Sequence, residues 1–144
     1  MKAALVCIGT ILMLAACITI NDKRPNTSDA QQATEAPQIR GALSGQKQLI
    51  GSFYATAPNC TSLGYPTLKV SQPPQHGQVS VEQGTAIADF GINDARARCN
   101  GESVPATTIY YTSETGFTGA DSVAFERIGV AGAYGYHAYT INVR

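Results

Sequence analysis

The chain has 144 residues, ten basic and ten acidic side chains and a formal net charge of zero. A chain of this length holds one domain and a tail. Its balanced charge gives no electrostatic footprint for nucleic acid or an anionic surface, so no nucleic-acid partner is expected.

The opening stretch MKAALVCIGTILMLAAC has one basic residue, Lys2, followed by an uncharged apolar run from Ala3 to Ala16 and then Cys17. That is the grammar of a secretory signal, too short and wrongly flanked for a lasting membrane span. Leu14-Ala15-Ala16-Cys17 resembles the lipobox of bacterial lipoproteins. The resemblance implies cleavage before Cys17, a diacylated sulfur and an acylated new amino terminus, so residues 1–16 are read as signal peptide. Two or three acyl chains hold a protein stably on a bilayer where one would be marginal. In that family's sorting scheme an aspartate after the lipidated cysteine retains the protein at the inner membrane. Ile18 stands there instead, which implies the outer membrane. The competing reading is an ordinary cleavage site that happens to precede a cysteine.

Residues 17–45 read as the lipidated N-terminus and a flexible tether. NDKRPNTSDAQQATEAPQIRGALSG is rich in small polar residues and poor in large apolar ones, and cannot bury enough surface to offset the entropy of ordering. As a coil of ~28 residues it would span roughly 30 Å. Ala30 to Ala36 could form a transient helical turn that Pro37 ends.

From residue 46 to 144 the pattern turns to β. LIGSFYAT opens it, then TLKVSQ, GQVSVEQ, TAIADFG, ARARC, TTIYYTS, DSVAFERI and YHAYTINV follow, separated by Pro- and Gly-rich corners. Short period-two segments at this spacing, with no convincing amphipathic helix, indicate an antiparallel sandwich or small barrel. Asn100-Gly101 predicts a type I′ hairpin folding ARARC back on TTIYYTS. Alternation places Ala95, Ala97 and Cys99 inward, with Arg96 and Arg98 in solvent. It likewise sets Val123 and Phe125 against Ala124 and Glu126, and Tyr139, Ile141 and Val143 against Tyr136, Ala138, Thr140 and Asn142. Of the four cysteines, Cys7 leaves with the signal and Cys17 carries lipid. Cys60 and Cys99 remain, and in an exported chain two leftover cysteines most simply pair. A metal site fails on ligand supply, because His76 and His137 are the only histidines and no Cys-x-x-Cys pair exists. No metal and no cofactor are expected.

Two stretches, QPPQHGQVSVEQG and IYYTSETGFTGADSVAF, resemble the repeat unit of bacterial immunoglobulin-like and cadherin-like surface proteins. Pro74, His76, Gly77 and Val79 match its Pro-x-His-Gly-x-Val segment. Tyr111, Phe117, Gly119, Asp121 and Phe125 match the Tyr, Phe, Gly, Asp and Phe of its second segment. The likeness covers about residues 67–128. It implies an all-β, antiparallel immunoglobulin-like β-sandwich of about seven strands, in which these residues are structural signatures. The chain departs from the family at Ser113, one position off the expected proline, at Val123 for an aromatic, and in the longer middle NDARARCNGESVPAT. It also reads ERIGVAGAYG where relatives continue into an Asp-Gly turn that helps bind calcium, and it carries a single unit.

Few constellations compete for chemistry. His76, with Asp89 or Asp94 as partner, is a catalytic candidate; a His-Gly pair behind two prolines is more often a turn. His137, alternating with Tyr139, reads as sheet packing. No Gly-x-Ser-x-Gly elbow is present, and Gly129 to Gly135 lacks the spacing and the helix of a phosphate loop. Within TGFTGADSVAF, Gly116 and Gly119 permit a turn, Phe117 plugs the end of the core and Asp121 caps the corner through its own backbone. Arg96 and Arg98 read first as a charged edge and second as a binding stripe. Tyr134, Tyr136 and Tyr139, set among glycines, offer contact area with polar tips and form the candidate partner-binding patch. The expected function is non-enzymatic: a lipid-anchored envelope protein presenting a binding or structural module to an envelope protein or glycan. Its rivals are an inhibitor or accessory subunit of an envelope enzyme or complex, and a small hydrolase using a histidine.

Overall fold

The structure, a computed structural model, describes residues 36–144. These form seven strands: β1 Gln38–Ala42, β2 Lys47–Tyr54, β3 Thr67–Gln72, β4 Gly77–Ile87, β5 Ser103–Ser113, β6 Gly119–Ile128 and β7 Tyr134–Val143. One sheet has the order β1-β7-β6-β3 and the other β2-β5-β4. This is an all-β sandwich with an immunoglobulin-like strand order, its first strand carried on the edge of the last. Every strand pairing is antiparallel except β1 with β7, which is parallel. The expected signal peptide, the lipidation site Cys17 and residues 30–35 of the expected helical turn lie outside the described residues.

Alternation selects the faces as expected. Val123, Phe125, Tyr139, Ile141 and Val143 turn inward to meet Ile50, Ile109 and Tyr111 from the other sheet. Burying each such large side chain stabilises by about 1.5–3 kcal/mol relative to exposure. Phe125 and Tyr139 meet edge to face, with centroids 6.1 Å apart. Ala124, assigned outward, is also buried. It lies on central strand β6, paired with Gln72 on one side and Ala138 on the other.

Four expectations are corrected. The tether does not run to residue 45, because Gln38–Ala42 is a strand whose last residue joins the core. The Arg40 guanidinium also ties β1 to the opposite sheet, its Nε donating to the Ile50 carbonyl at 2.7 Å. GQVSVEQ and the start of TAIADFG form one unbroken strand, β4, in continuous register with β5.

ARARC is no strand. Asp94 captures the Arg96 backbone N–H and guanidinium, and the Ala97 and Cys99 N–H groups donate back to the carbonyls of Asp94 and Arg96, winding a 3-10 turn over Ala97–Cys99. Alanine and arginine lack the β-branched or aromatic bulk that would have resisted this. Finally, Asn100 sits at φ −60° and ψ 137° with Gly101 at φ 87°, and the Glu102 N–H donates to the Cys99 carbonyl. That is a type II turn, in which only Gly101 needs positive φ.

Without the strand the expected faces fail as well, since Ala95 is exposed and Arg96 half-buried; Cys99 is nevertheless fully buried, and it forms a disulfide with Cys60 across a sequence separation of 39 residues. In the chain-entropy account, closing a loop of that length stabilises by about 4 kcal/mol.

Candidate functional site

The corner TGFTGADSVAF is structural. Gly116 and Gly119 adopt φ of 84° and 132°, which only glycine takes without strain. Asp121 is 5 % exposed and acts further afield than its own loop. One carboxylate oxygen accepts the N–H groups of Gln75 and Ser122, at 2.9 and 2.8 Å. The other accepts the His76 N–H and the Tyr111 hydroxyl, both at 2.9 Å. The carboxylate therefore fastens the β3–β4 turn onto β5 and β6. Burial alone would raise its pKa; the three backbone donors and the phenol outweigh that and hold it below the ordinary carboxylate value. Tyr111 moves the other way, pushed well above the usual phenol range by burial and then by donating to this anion.

His76 stacks on Phe117 with centroids 4.2 Å apart, and its ring Nδ1 lies 4.0 Å from the Glu114 carboxylate. Of the proposed partners, Asp94 grips Arg96, and Asp89 lies in the loop after β4, at the end of that strand away from His76, where its backbone exchanges hydrogen bonds with the Tyr54 hydroxyl. His137 accepts a hydrogen bond from Arg127 Nε at 3.2 Å and lies against Phe53, with centroids 4.5 Å apart. Among the described residues, no three His, Cys, Asp or Glu side chains gather as metal ligands would.

The ends of the strands define a more suggestive surface. β2 ends at Tyr54 opposite Ala106, β4 ends at Ile87 opposite Ser103, and β6 ends at Ile128 opposite Thr67 and Tyr134. Loops 55–66, 88–102 and 129–133 therefore emerge together at one end of the sandwich. A β-carbon placed on Gly64 would stand 3.8 Å from Val130, so the first and third loops touch. The disulfide joins the first to the second.

The second loop is braced internally. Asn100 exchanges two side-chain hydrogen bonds with the Phe90 backbone, Phe90 meets Tyr54 edge on, and Arg96 lies over Phe90 at 4.4 Å. On this end large apolar side chains face solvent: Leu63 and Tyr65 from the first loop, Ile87 at the end of β4 and Ile92 from the second loop, and Ile128, Val130 and Tyr134 around the third. Ile92 is 89 % exposed and Ile87 62 %. The other exposed large apolar residues (Ile39, Leu43, Leu49 and Val81) are dispersed over strands and the opposite end.

The residues picked out by sequence fall differently. Tyr134 belongs to this end and is half exposed, while Tyr136 is half buried on the outer face of β7. Tyr139 is corrected: at 3 % exposure it is a core residue, because its strand parity turns it inward. Arg98 is exposed on the second loop. Arg96 is not a free charge, since Asp94 binds it at 2.6 and 2.8 Å and is itself held at a pKa of about 2 by that guanidinium. The two arginines do not form one stripe, because the strand that would have aligned them does not exist. Sequence reasoning missed Ile87, Ile92, Leu63, Ile128 and Val130. The available signal was an isoleucine in a loop rich in Asp, Asn and Gly, where no core residue belongs. Comparison of the chain with family models, with characterised proteins and with solved structures finds no match to any of them.

Proposed function

We propose that the protein is a non-enzymatic envelope lipoprotein, anchored through acylated Cys17 at the outer membrane. Its immunoglobulin-like sandwich is a binding module that engages a protein through the loop end. The observation that carries the binding role is the cluster of exposed apolar side chains on three loops, two of them stapled together by Cys60–Cys99. Apolar patches concentrated at one place on a soluble surface mark interaction sites, whereas scattered ones do not. A predominance of aliphatic side chains, with Tyr65 and Tyr134 the two aromatic ones, suits the centre of a protein interface better than the stacking platform of a glycan site. A preorganised loop end also loses little conformational freedom on binding.

The test is site-specific photo-crosslinking in cells, with the crosslinker at Ile92 in one strain and at Thr115, on the opposite end, in another. The expected result is one discrete protein adduct from position 92 and none from 115. Equal labelling from both positions, or none from 92, would contradict the reading. The anchor is tested separately: Cys17→Ser is expected to abolish palmitate labelling and release the protein from the membrane fraction.

A further inference from the structure

A sandwich with open sheets has four edge strands, and an exposed edge is a template for pairing unless something blunts it. Three of the four are blunted here. β1 is five residues long and carries Arg40. β2 carries Lys47 and a register shift between Leu49 and Gly51. β3 is six residues long and carries Lys69 and a shift between Val70 and Gln72.

β4 has none of these devices. It is eleven residues long, holds neither proline nor lysine, and runs in unbroken register from Gly77 opposite Ser113 to Ile87 opposite Ser103. Its one charge, Glu82, stands on the outer face of the sheet and is already bound by Lys47 at 2.6 Å and by the Ser80 hydroxyl at 2.8 Å. Val81, from the inward row, is 39 % exposed at this edge.

We propose that β4 is a self-association edge, at which a second copy of this chain adds its own β4 antiparallel about a two-fold axis at Val81. This goes beyond the loop-end surface and does not rest on it. The register follows from Val81, whose exposed side chain an axis at that residue covers with its own copy, while charge excludes the neighbouring one. An axis at Glu82 would set two carboxylates directly opposite each other, which is destabilising. An axis at Val81 sets each Glu82 opposite the partner's uncharged Ser80, and sets Val81 against its own copy and Val79 against Gln83. The two three-stranded sheets then become one six-stranded sheet, its central edges removed. Strand addition alone covers less surface than a permanent dimer needs, so the association is reversible and depends on local concentration.

The geometry makes a specific demand. Residues directly opposite across an antiparallel pair have β-carbons about 4.5–5.5 Å apart, within disulfide reach. Only a residue on the two-fold meets its own copy in this way. The full-length chain carrying Val81→Cys, in its native membrane, is treated with a mild oxidant and compared with Leu49→Cys, an exposed position on β2. The expected result is a disulfide-linked homodimer from position 81 at a yield at least about tenfold above that from position 49. Adding Gln83→Lys and Val79→Lys to Val81→Cys, which sets lysine against lysine on both sides of the axis, is expected to return the yield to the position-49 level. Equal yields from 81 and 49, or a yield unaffected by the added lysines, would overturn the proposal. So would a mixed disulfide with a different protein, since that would assign the edge to a foreign strand. A circular-dichroism spectrum of each purified variant matching that of the parent excludes misfolding as the cause of a low yield.

Discussion

Asp121 is the residue on which the signature corner turns. A carboxylate this buried without a cation beside it is tolerated only because four donors satisfy its lone pairs. Asp121→Asn replaces one acceptor oxygen with an amide donor facing N–H and O–H groups that are themselves donors. It is expected to cost roughly 2 kcal/mol, the scale of losing charge-assisted hydrogen bonds. Folding lowers the pKa of Asp121 below its ordinary value of 3.8. Its contribution is therefore complete above that unfolded value and is lost as pH falls through the lower folded value. Urea titrations between pH 6 and pH 2 should show the parent losing stability below about pH 4, with Asp121→Asn losing less over the same interval. His76, in the same corner, contributes its backbone N–H to Asp121, whatever its side chain is. The sequence identified this corner as structural and identified Asp121 as its cap. It did not reveal the reach of the carboxylate to the β3–β4 turn, because that turn is distant in the chain and meets Asp121 only once both sheets have formed.

At the scale of elements, legibility followed the number of neighbours that a strand has. β6, β7 and the second half of β5 were evident because their sequences are rich in β-branched and aromatic residues, although burial on both faces of β5 and β6 breaks strict alternation there. β1 was hidden: five residues on an edge need little hydrophobic content, and IRGA beside a polar stretch reads as tether. Its contribution can be measured. A chain beginning at residue 46 lacks Ala42 in the core, the Arg40 bond to Ile50 and the ladder on β7. It is expected to be less stable than one beginning at residue 36 by at least about 2 kcal/mol in urea unfolding. Equal stability would return β1 to the tether.

The loop 88–102 was misread for the opposite reason, since Ala-Arg alternation imitates a strand while Asp94 and the disulfide impose a turn. Replacing both Cys60 and Cys99 by alanine is expected to cost about 4 kcal/mol in the chain-entropy model. Chemical denaturation measures that cost. A loss below ~1 kcal/mol would mean that the loop is held by its hydrogen bonds alone.

For the molecule as a whole, the fold class and the disulfide were readable because they follow from local patterns and from counting, whereas the local patterns gave eight segments in place of these seven strands and omitted β1. The surface proposed for binding was not readable. It is assembled from three loops separated by dozens of residues, and an exposed isoleucine looks like a buried one until the strands place it. The function proposed for this molecule joins a lipid anchor at Cys17 to an apolar loop end as the working surface.

The most direct measurement of that function is the size of the native assembly extracted from membranes in mild detergent. It compares the parent with Ile87→Asp/Ile92→Asp and with a control, Leu49→Asp, that adds charge on a strand face elsewhere. The parent and the control are predicted to migrate in a complex larger than the chain alone, and the loop-end variant to be released from it with its thermal unfolding unchanged. Identical migration of all three proteins would contradict the proposed binding role.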